Sequence, residues 1–226
     1  SASHFDDTIA WYENDGTSNP SFTATDIATS GDGSQGIHIA DLDSDGDLDI
    51  VAASYNDDTI TWYENDGNSN PSWTTRLIAT NADGAHHVYV ADLDNDGDLD
   101  IVSASQIDDT IAWYENDGSS NPAFTATDIA TSADGAQDVH IADLDGDGDL
   151  DIISASGFDD TIAWYEDREI ATNADGAHHV YIADLDNDGD LDIVSASQID
   201  DTIAWYENEG ASDPIFSATD IATSAD

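Results

Sequence analysis

An all-β propeller of four-stranded antiparallel blades is predicted by three features: a long internal repeat, a recurring set of short strands, and an acidic loop that punctuates each unit. Trp11, Trp62 and Trp113 stand 51 residues apart, Trp164 follows after another 51, and Trp205 after 41. The acidic loops begin at Asp41, Asp92, Asp143 and Asp184, at the same intervals. Self-similarity at this period, with four strands per 40 to 50 residues, is the size of a propeller blade. No helical periodicity competes with it.

The unit is read most clearly in its third copy. Val88-Tyr89-Val90-Ala91 alternates as a strand and enters the acidic loop. Asp100-Ile101-Val102-Ser103-Ala104-Ser105 leaves that loop as a second strand, its apolar run fitting burial on both faces. Thr110-Ile111-Ala112-Trp113-Tyr114-Glu115 is rich in β-formers, and Asn116-Asp117-Gly118 closes it as a turn. Phe124-Thr125-Ala126-Thr127-Asp128-Ile129-Ala130 is the fourth strand, ended by Ala133-Asp134-Gly135. The short 41-residue step is a deletion of ten residues: Tyr165-Glu166-Asp167-Arg168 runs directly into Glu169-Ile170-Ala171-Thr172. One domain over 1–226 is expected, with units at about 1–34, 35–83, 84–134, 135–175 and 176–226. Five third strands but four acidic loops leave the first blade without its innermost strand. The blades close imperfectly, or belong to a larger ring, or are completed by a second copy.

The acidic loop is nine residues long with carboxylates at positions 1, 3, 5, 7 and 9. These are Asp41, Asp43, Asp45, Asp47 and Asp49, then Asp92, Asp94, Asp96, Asp98 and Asp100, then Asp143, Asp145, Asp147, Asp149 and Asp151, and finally Asp184, Asp186, Asp188, Asp190 and Asp192. Gly46, Gly97, Gly148 and Gly189 hold position 6, where a chain wrapped around an ion must turn sharply. Five carboxylates in nine residues repel one another unless a cation offsets them. Calcium is expected, about four ions in all, taking side-chain oxygens from positions 1, 3, 5 and 9 and the backbone carbonyl of position 7. Magnesium demands stricter octahedral geometry, and zinc prefers ligands that these loops lack.

With 51 acidic residues against Arg76 and Arg168, the formal charge is −49. Nucleic acid and anionic membranes are excluded as partners by sign. The surface suits high salt, where screening shortens repulsion, and a marine or salt-loving source is expected. The 39% hydrophobic content and its regular pattern separate the chain from disordered acidic segments. There is no cysteine, so metal takes the place of disulfide staples, and no apolar run long enough to span a membrane as a helix. The absence of methionine reads as a processed or excised piece of a longer protein.

Asp-x-Asp-x-Asp-Gly-Asp-x-Asp between the first two strands of a repeated blade resembles the FG-GAP/VCBS repeats of bacterial surface proteins and the calcium loops of integrin alpha-subunit propellers. The resemblance covers essentially the whole chain. It implies metal ligation by positions 1, 3, 5 and 9 of every loop, mainly structural, in an extracellular or cell-surface setting. Asp83-Gly84-Ala85 occurs, but no Gly-Ala-Pro and no matching Phe-Gly, so integrin-like partner recognition is not carried over.

The five third-strand tryptophans are read as packing between blades rather than as sugar platforms. The pairs Asp6-Asp7, Asp57-Asp58, Asp108-Asp109, Asp159-Asp160 and Asp200-Asp201 are read as turn caps, since adjacent residues point in opposite directions and make no acid/base couple. The units differ at Gln35-Gly36, His86-His87, Gln137-Asp138 and His178-His179, placed ahead of the first strand, and at His38, Tyr89, His140 and Tyr181 within it. On an innermost strand these would line the central channel, as hydrogen-bonded filler or as ligands. The loops around His4-Phe5, Tyr55-Asn56, Gln106-Ile107, Gly157-Phe158 and Gln198-Ile199 also diverge, as binding loops do. The expectation is a non-catalytic calcium-binding module for adhesion to a glycan or protein. A self-associating structural spacer is the alternative, and a polysaccharide-acting enzyme is disfavoured because no single asymmetric catalytic cluster is present.

Overall fold

The computed structural model describes residues 1–165, 168–210 and 214–224, with Arg168 described through its backbone. Glu166 and Asp167 of the trimmed connection, and the last two residues of the fifth unit, lie outside the described residues. Five antiparallel sheets follow one another along the chain. The first has three strands, β1 (Ala2–Ser3), β2 (Thr8–Asn14) and β3 (Phe22–Ala28), in that spatial order. The second comprises β4 (Ser34–Ala40), β5 (Asp49–Ser54), β6 (Thr59–Asn65) and β7 (Trp73–Ala79). The third comprises β8 (Ala85–Ala91), β9 (Asp100–Ser105), β10 (Thr110–Asn116) and β11 (Phe124–Ala130). The fourth comprises β12 (Ala136–Ala142), β13 (Asp151–Ser156), β14 (Thr161–Trp164) and β15 (Arg168–Ala171), and the fifth β16 (Ala177–Ala183), β17 (Asp192–Ser197), β18 (Thr202–Asn208) and β19 (Phe216–Ala222). Sequential neighbours pair in every sheet, and no helix occurs among the described residues. This is a five-bladed propeller whose first blade lacks its innermost strand.

The first strands begin three residues earlier than the alternation at Val88 indicates. A register shift between Ala85 and His87, repeated between Ala136 and Asp138 and between Ala177 and His179, lets the strand continue through a bulge that period-two counting reads as its end. His86-His87, Gln137-Asp138 and His178-His179 therefore lie inside the innermost strands, not ahead of them. The third strand also extends one residue, to Asn116.

The second strands β5 and β9 are buried along their whole length, because neighbouring blades cover them from either side. The cores lie between blades. Leu42, Val51, Ala53 and Trp62 of the second blade pack with Val88, Val90 and Ile101 of the third, and Leu144, Ile153 and Trp164 of the fourth with Val180, Ile182 and Ile193 of the fifth. Trp62 meets Phe124 of the next blade edge to face at 6.4 Å, and Trp164 meets Phe216 at 6.5 Å. These tryptophans are blade-to-blade packing, and Arg76 covers the Trp62 ring at 5.0 Å.

Candidate metal sites and the central channel

Each acidic loop joins an innermost strand to a second strand, so all four lie at equivalent points of their blades. Position 6 explains the turn: Gly46, Gly97, Gly148 and Gly189 have φ of +98°, +101°, +101° and +104°. A side chain there would meet nothing within 4 Å, so the glycine is required by backbone conformation alone. The turn folds carboxylates inward. Asp41, Asp43 and Asp45 bring ligand oxygens within 4.8 Å of one another, as do Asp92, Asp94 and Asp96, then Asp143, Asp145 and Asp151, and Asp184, Asp186 and Asp192. Positions 1 and 3 thus converge in every loop, joined by position 5 in two and by position 9 in two.

Position 9 has a second task. The Asp49 carboxylate accepts the Leu42 amide at 3.2 Å and the Asn65 amide at 2.8 Å, holding the loop against the end of β6. Asp100 accepts Leu93 and Asn116 likewise, and Asp192 accepts Leu185 and Asn208. Burial pushes Asp49 up to about 6 despite those amides, and raises Asp100 and Asp151 in the same direction. Position 7 departs from the converging set: the side chains of Asp47, Asp98 and Asp190 rest against Gly67, Gly118 and Gly210 in the turn after the third strand, where a Cβ has no room.

The donor set is made of hard carboxylate oxygens, which matches calcium. One oxygen each of Asp92 and Asp143, both at position 1, is buried without a hydrogen-bond partner. Buried polar atoms are rarely left so, and an ion is the group that would satisfy them.

The channel is the other polar region. His38, Tyr89, His140 and Tyr181 follow one another around it with ring centroids 4.6, 4.7 and 5.6 Å apart. Burial lowers the proton affinity of His38 and His140, and takes His86 down to about 4. One residue breaks the repeat. Asp138 on β12 is 3% exposed and accepts at 2.8 Å from Nδ1 of His87 on β8 and from Nδ1 of His179 on β16. An ionised carboxylate only accepts, so both rings carry their proton on Nδ1 toward it. Asp138 also accepts the Val139 and Val180 amides. Although burial opposes its ionisation, these donors together hold it well below the ordinary carboxylate range, and His179 is raised in return, chiefly by its hydrogen bond to Asp138. Three consecutive blades are tied at one carboxyl group. The variation at Gln137-Asp138 was the sequence signal for this site, but only the bulge places it in reach of both histidines.

Of the Asp-Asp turns, Asp200 caps its own turn by accepting the Thr202 amide, and the others reach further than a cap. The second residue of each pair is left-handed, with φ of +54° to +61°. Its carboxylate accepts the amide of a glycine leading into the next innermost strand: Asp7 from Gly33, Asp58 from Gly84, Asp109 from Gly135 and Asp160 from Gly176. They brace one blade to the next.

Fold and loops together define a repeat propeller whose four-stranded blades each carry an acidic turn between the inner two strands. The chain belongs to the FG-GAP-like repeat family, which matches residues 1–52, 41–103 and 95–154. Among curated proteins, a sequence search finds no match. Among solved structures it is similar to a lectin from Agrocybe aegerita that recognises non-reducing terminal N-acetylglucosamine, with TM-score 0.60, 19% identity, and coverage of 96% of this chain and 61% of the lectin. A protein from Lactobacillus plantarum gives TM-score 0.58 and 17% identity over 92% of this chain and 61% of that one. A Bacteroides uniformis protein provisionally assigned as a 6-phosphogluconolactonase gives 0.60 and 12% over 98% and 68%. The chain spans about six-tenths of the length of the first two, and at these identities the likeness is one of fold.

Proposed function

We propose that this protein is a calcium-stabilised, non-catalytic binding module displayed outside the cell, presenting loops and a channel mouth to a glycan or protein partner. The observation that carries it is the fourfold recurrence of one converging carboxylate cluster, at the same junction of four blades. The ligands would be Asp41, Asp43, Asp45 and Asp49 and their counterparts in the other three loops, with backbone carbonyls of Asp47, Asp98, Asp149 and Asp190. Bound calcium would supply the positive charge that lets these carboxylates sit together, and so couple occupancy to folding.

The remaining residues serve scaffold and display. Asp138 is engaged by two histidines and two amides, which is a structural commitment and not the poised arrangement of a general acid or base. No nucleophile, base and orienting group meet among the described residues, and this supports a non-catalytic reading. Apolar side chains of the loops between second and third strands, Phe5, Ile107, Phe158 and Ile199, stand exposed on one rim, where a partner would dock. The propeller shared with a lectin makes glycans the first class to test. The experiment is binding to immobilised glycans in calcium and in chelator. Saturable binding to a defined sugar, lost in chelator, is the expected result; turnover of a glycan, or concentration-dependent assembly with no glycan bound, would replace this reading with the enzyme or the spacer.

A further inference from the structure

Imidazoles enter the repeat unevenly. At the bulge of the innermost strand the second and fourth blades carry Gln35-Gly36 and Gln137-Asp138, whereas the third and fifth carry His86-His87 and His178-His179. His87 and His179 are committed to Asp138. Their predecessors are not. His86 on β8 and His178 on β16 meet past the fourth blade, with ring centroids 5.6 Å apart and planes at 81°. Both are half-buried, so water and small ions reach them.

Three features leave lone pairs and room between these rings. Nδ1 of His86 lies 2.7 Å from the Gln137 carbonyl oxygen; a carbonyl only accepts, so this nitrogen carries the proton and Nε2 keeps its lone pair. Metal-ligating histidines are held in this way, by a carbonyl or carboxylate on the other ring nitrogen. No hydrogen bond ties the His178 ring to another residue among the described residues. Gln137, on the strand between them, turns its side chain aside, and its Nε2 takes the space that a Cβ at position 157 would need. That position is glycine in the fourth blade and His4, Tyr55, Gln106 or Gln198 in the others.

Asp138 then sets the spacing. It grips the next residues, His87 and His179, at 2.8 Å on either side, so β8 and β16 hold the preceding pair at a fixed separation. Two imidazoles on one ion, at metal–nitrogen distances of about 2.0–2.1 Å, place their ring centroids roughly 5–6.5 Å apart, depending on the angle at the metal. The observed 5.6 Å falls within that range.

We propose that His86 and His178 bind one divalent transition-metal ion across the channel, through Nε2 of His86 and a ring nitrogen of His178, with water completing the coordination. Imidazole suits zinc, nickel and copper, whereas calcium takes oxygen ligands, so this site and the acidic loops draw on different ions. The ion joins the third blade to the fifth beside the Asp138 clamp.

The test is calorimetric titration of Zn²⁺ into the full chain in saturating calcium, which keeps the acidic loops occupied, followed by a thermal melt. Wild type is compared with His86→Gln, His178→Gln and, as a control, His4→Gln. Expected are one zinc per protein, a raised melting temperature, and affinity unchanged in the control. Either channel variant should bind at least about tenfold more weakly, the loss that even an outer-shell partner brings. Electron paramagnetic resonance with one equivalent of Cu²⁺ should show splitting from at least two nitrogens, a readout on the wild-type protein that needs no variant to fold. An all-oxygen copper spectrum, equal zinc affinity in wild type and both channel variants, or no zinc binding at all would overturn the proposal.

Discussion

Gly97 and Asp138 show how much single residues carry here. The space around Gly97 is open, yet its φ of +101° lies where an L side chain strains the backbone. Gly97→Ala should therefore cost about 1–3 kcal/mol through conformation, without any clash; a denaturant titration that finds no loss would remove the argument from backbone strain. Asp138→Asn should cost about 2 kcal/mol, less than a fully buried ion pair because the His179 side chain is 64% exposed. The sign of its pH dependence follows from His179, whose proton affinity is raised in the folded state. That contribution is fully present below the unfolded value near 6.5 and fades as pH rises through the higher folded value. His86, His140 and His178 feel Asp138 in the same sense. The difference between wild type and Asp138→Asn should thus be larger at pH 6 than at pH 9, and a difference that grows toward pH 9 would contradict the assigned pairing.

At the scale of elements, short polar side chains fasten blade to blade. Asn116 accepts the Gly118 amide and donates to Leu99 of its own blade and Leu42 of the one before. Asn65 makes the two contacts within its blade and lacks the third. Asn116→Ala should then be more destabilising than Asn65→Ala by about 1 kcal/mol, the net worth of one buried hydrogen bond; equal losses would mean that the link between blades contributes nothing. Strand identity and order were legible from the sequence, because alternation, β-branched residues and Asn-Asp-Gly turns are local signals. The second and fourth strands, Asp100–Ser105 and Phe124–Ala130, fall where the pattern puts them. The start of the innermost strand was not legible: a bulge shifts the side-chain period at the place where His86-His87 and Gln137-Asp138 sit, and no local rule reports it. Contacts such as Asn116 to Leu42, 74 residues apart, are invisible to any local pattern although the asparagine recurs in three other blades.

For the whole molecule, charge and metal are one problem. Four divalent ions would add eight positive charges to −49, so most of the acidic surface must be met by solvent and screening. The reach of exposed charges falls from about 10 Å at 0.1 M salt to about 3 Å at 1 M. With calcium saturating, the melting temperature should rise between those salt concentrations, and a flat profile would count against a salt-adapted surface. The loops were legible as carboxylate clusters because their chemistry lies in nine consecutive residues; the anchoring of position 9 to β6, β10 and β18 was not, because the loop meets those strands only after folding. The most direct test of the account is calorimetric titration of calcium into the chelated protein, followed by melting with and without the metal. About four sites, and stabilisation on the order of 2.7 kcal/mol per site at a hundredfold excess over the dissociation constant, are predicted. Negligible heat, or an unchanged melt after exhaustive chelation, would contradict it and leave the acidic loops as solvated turns.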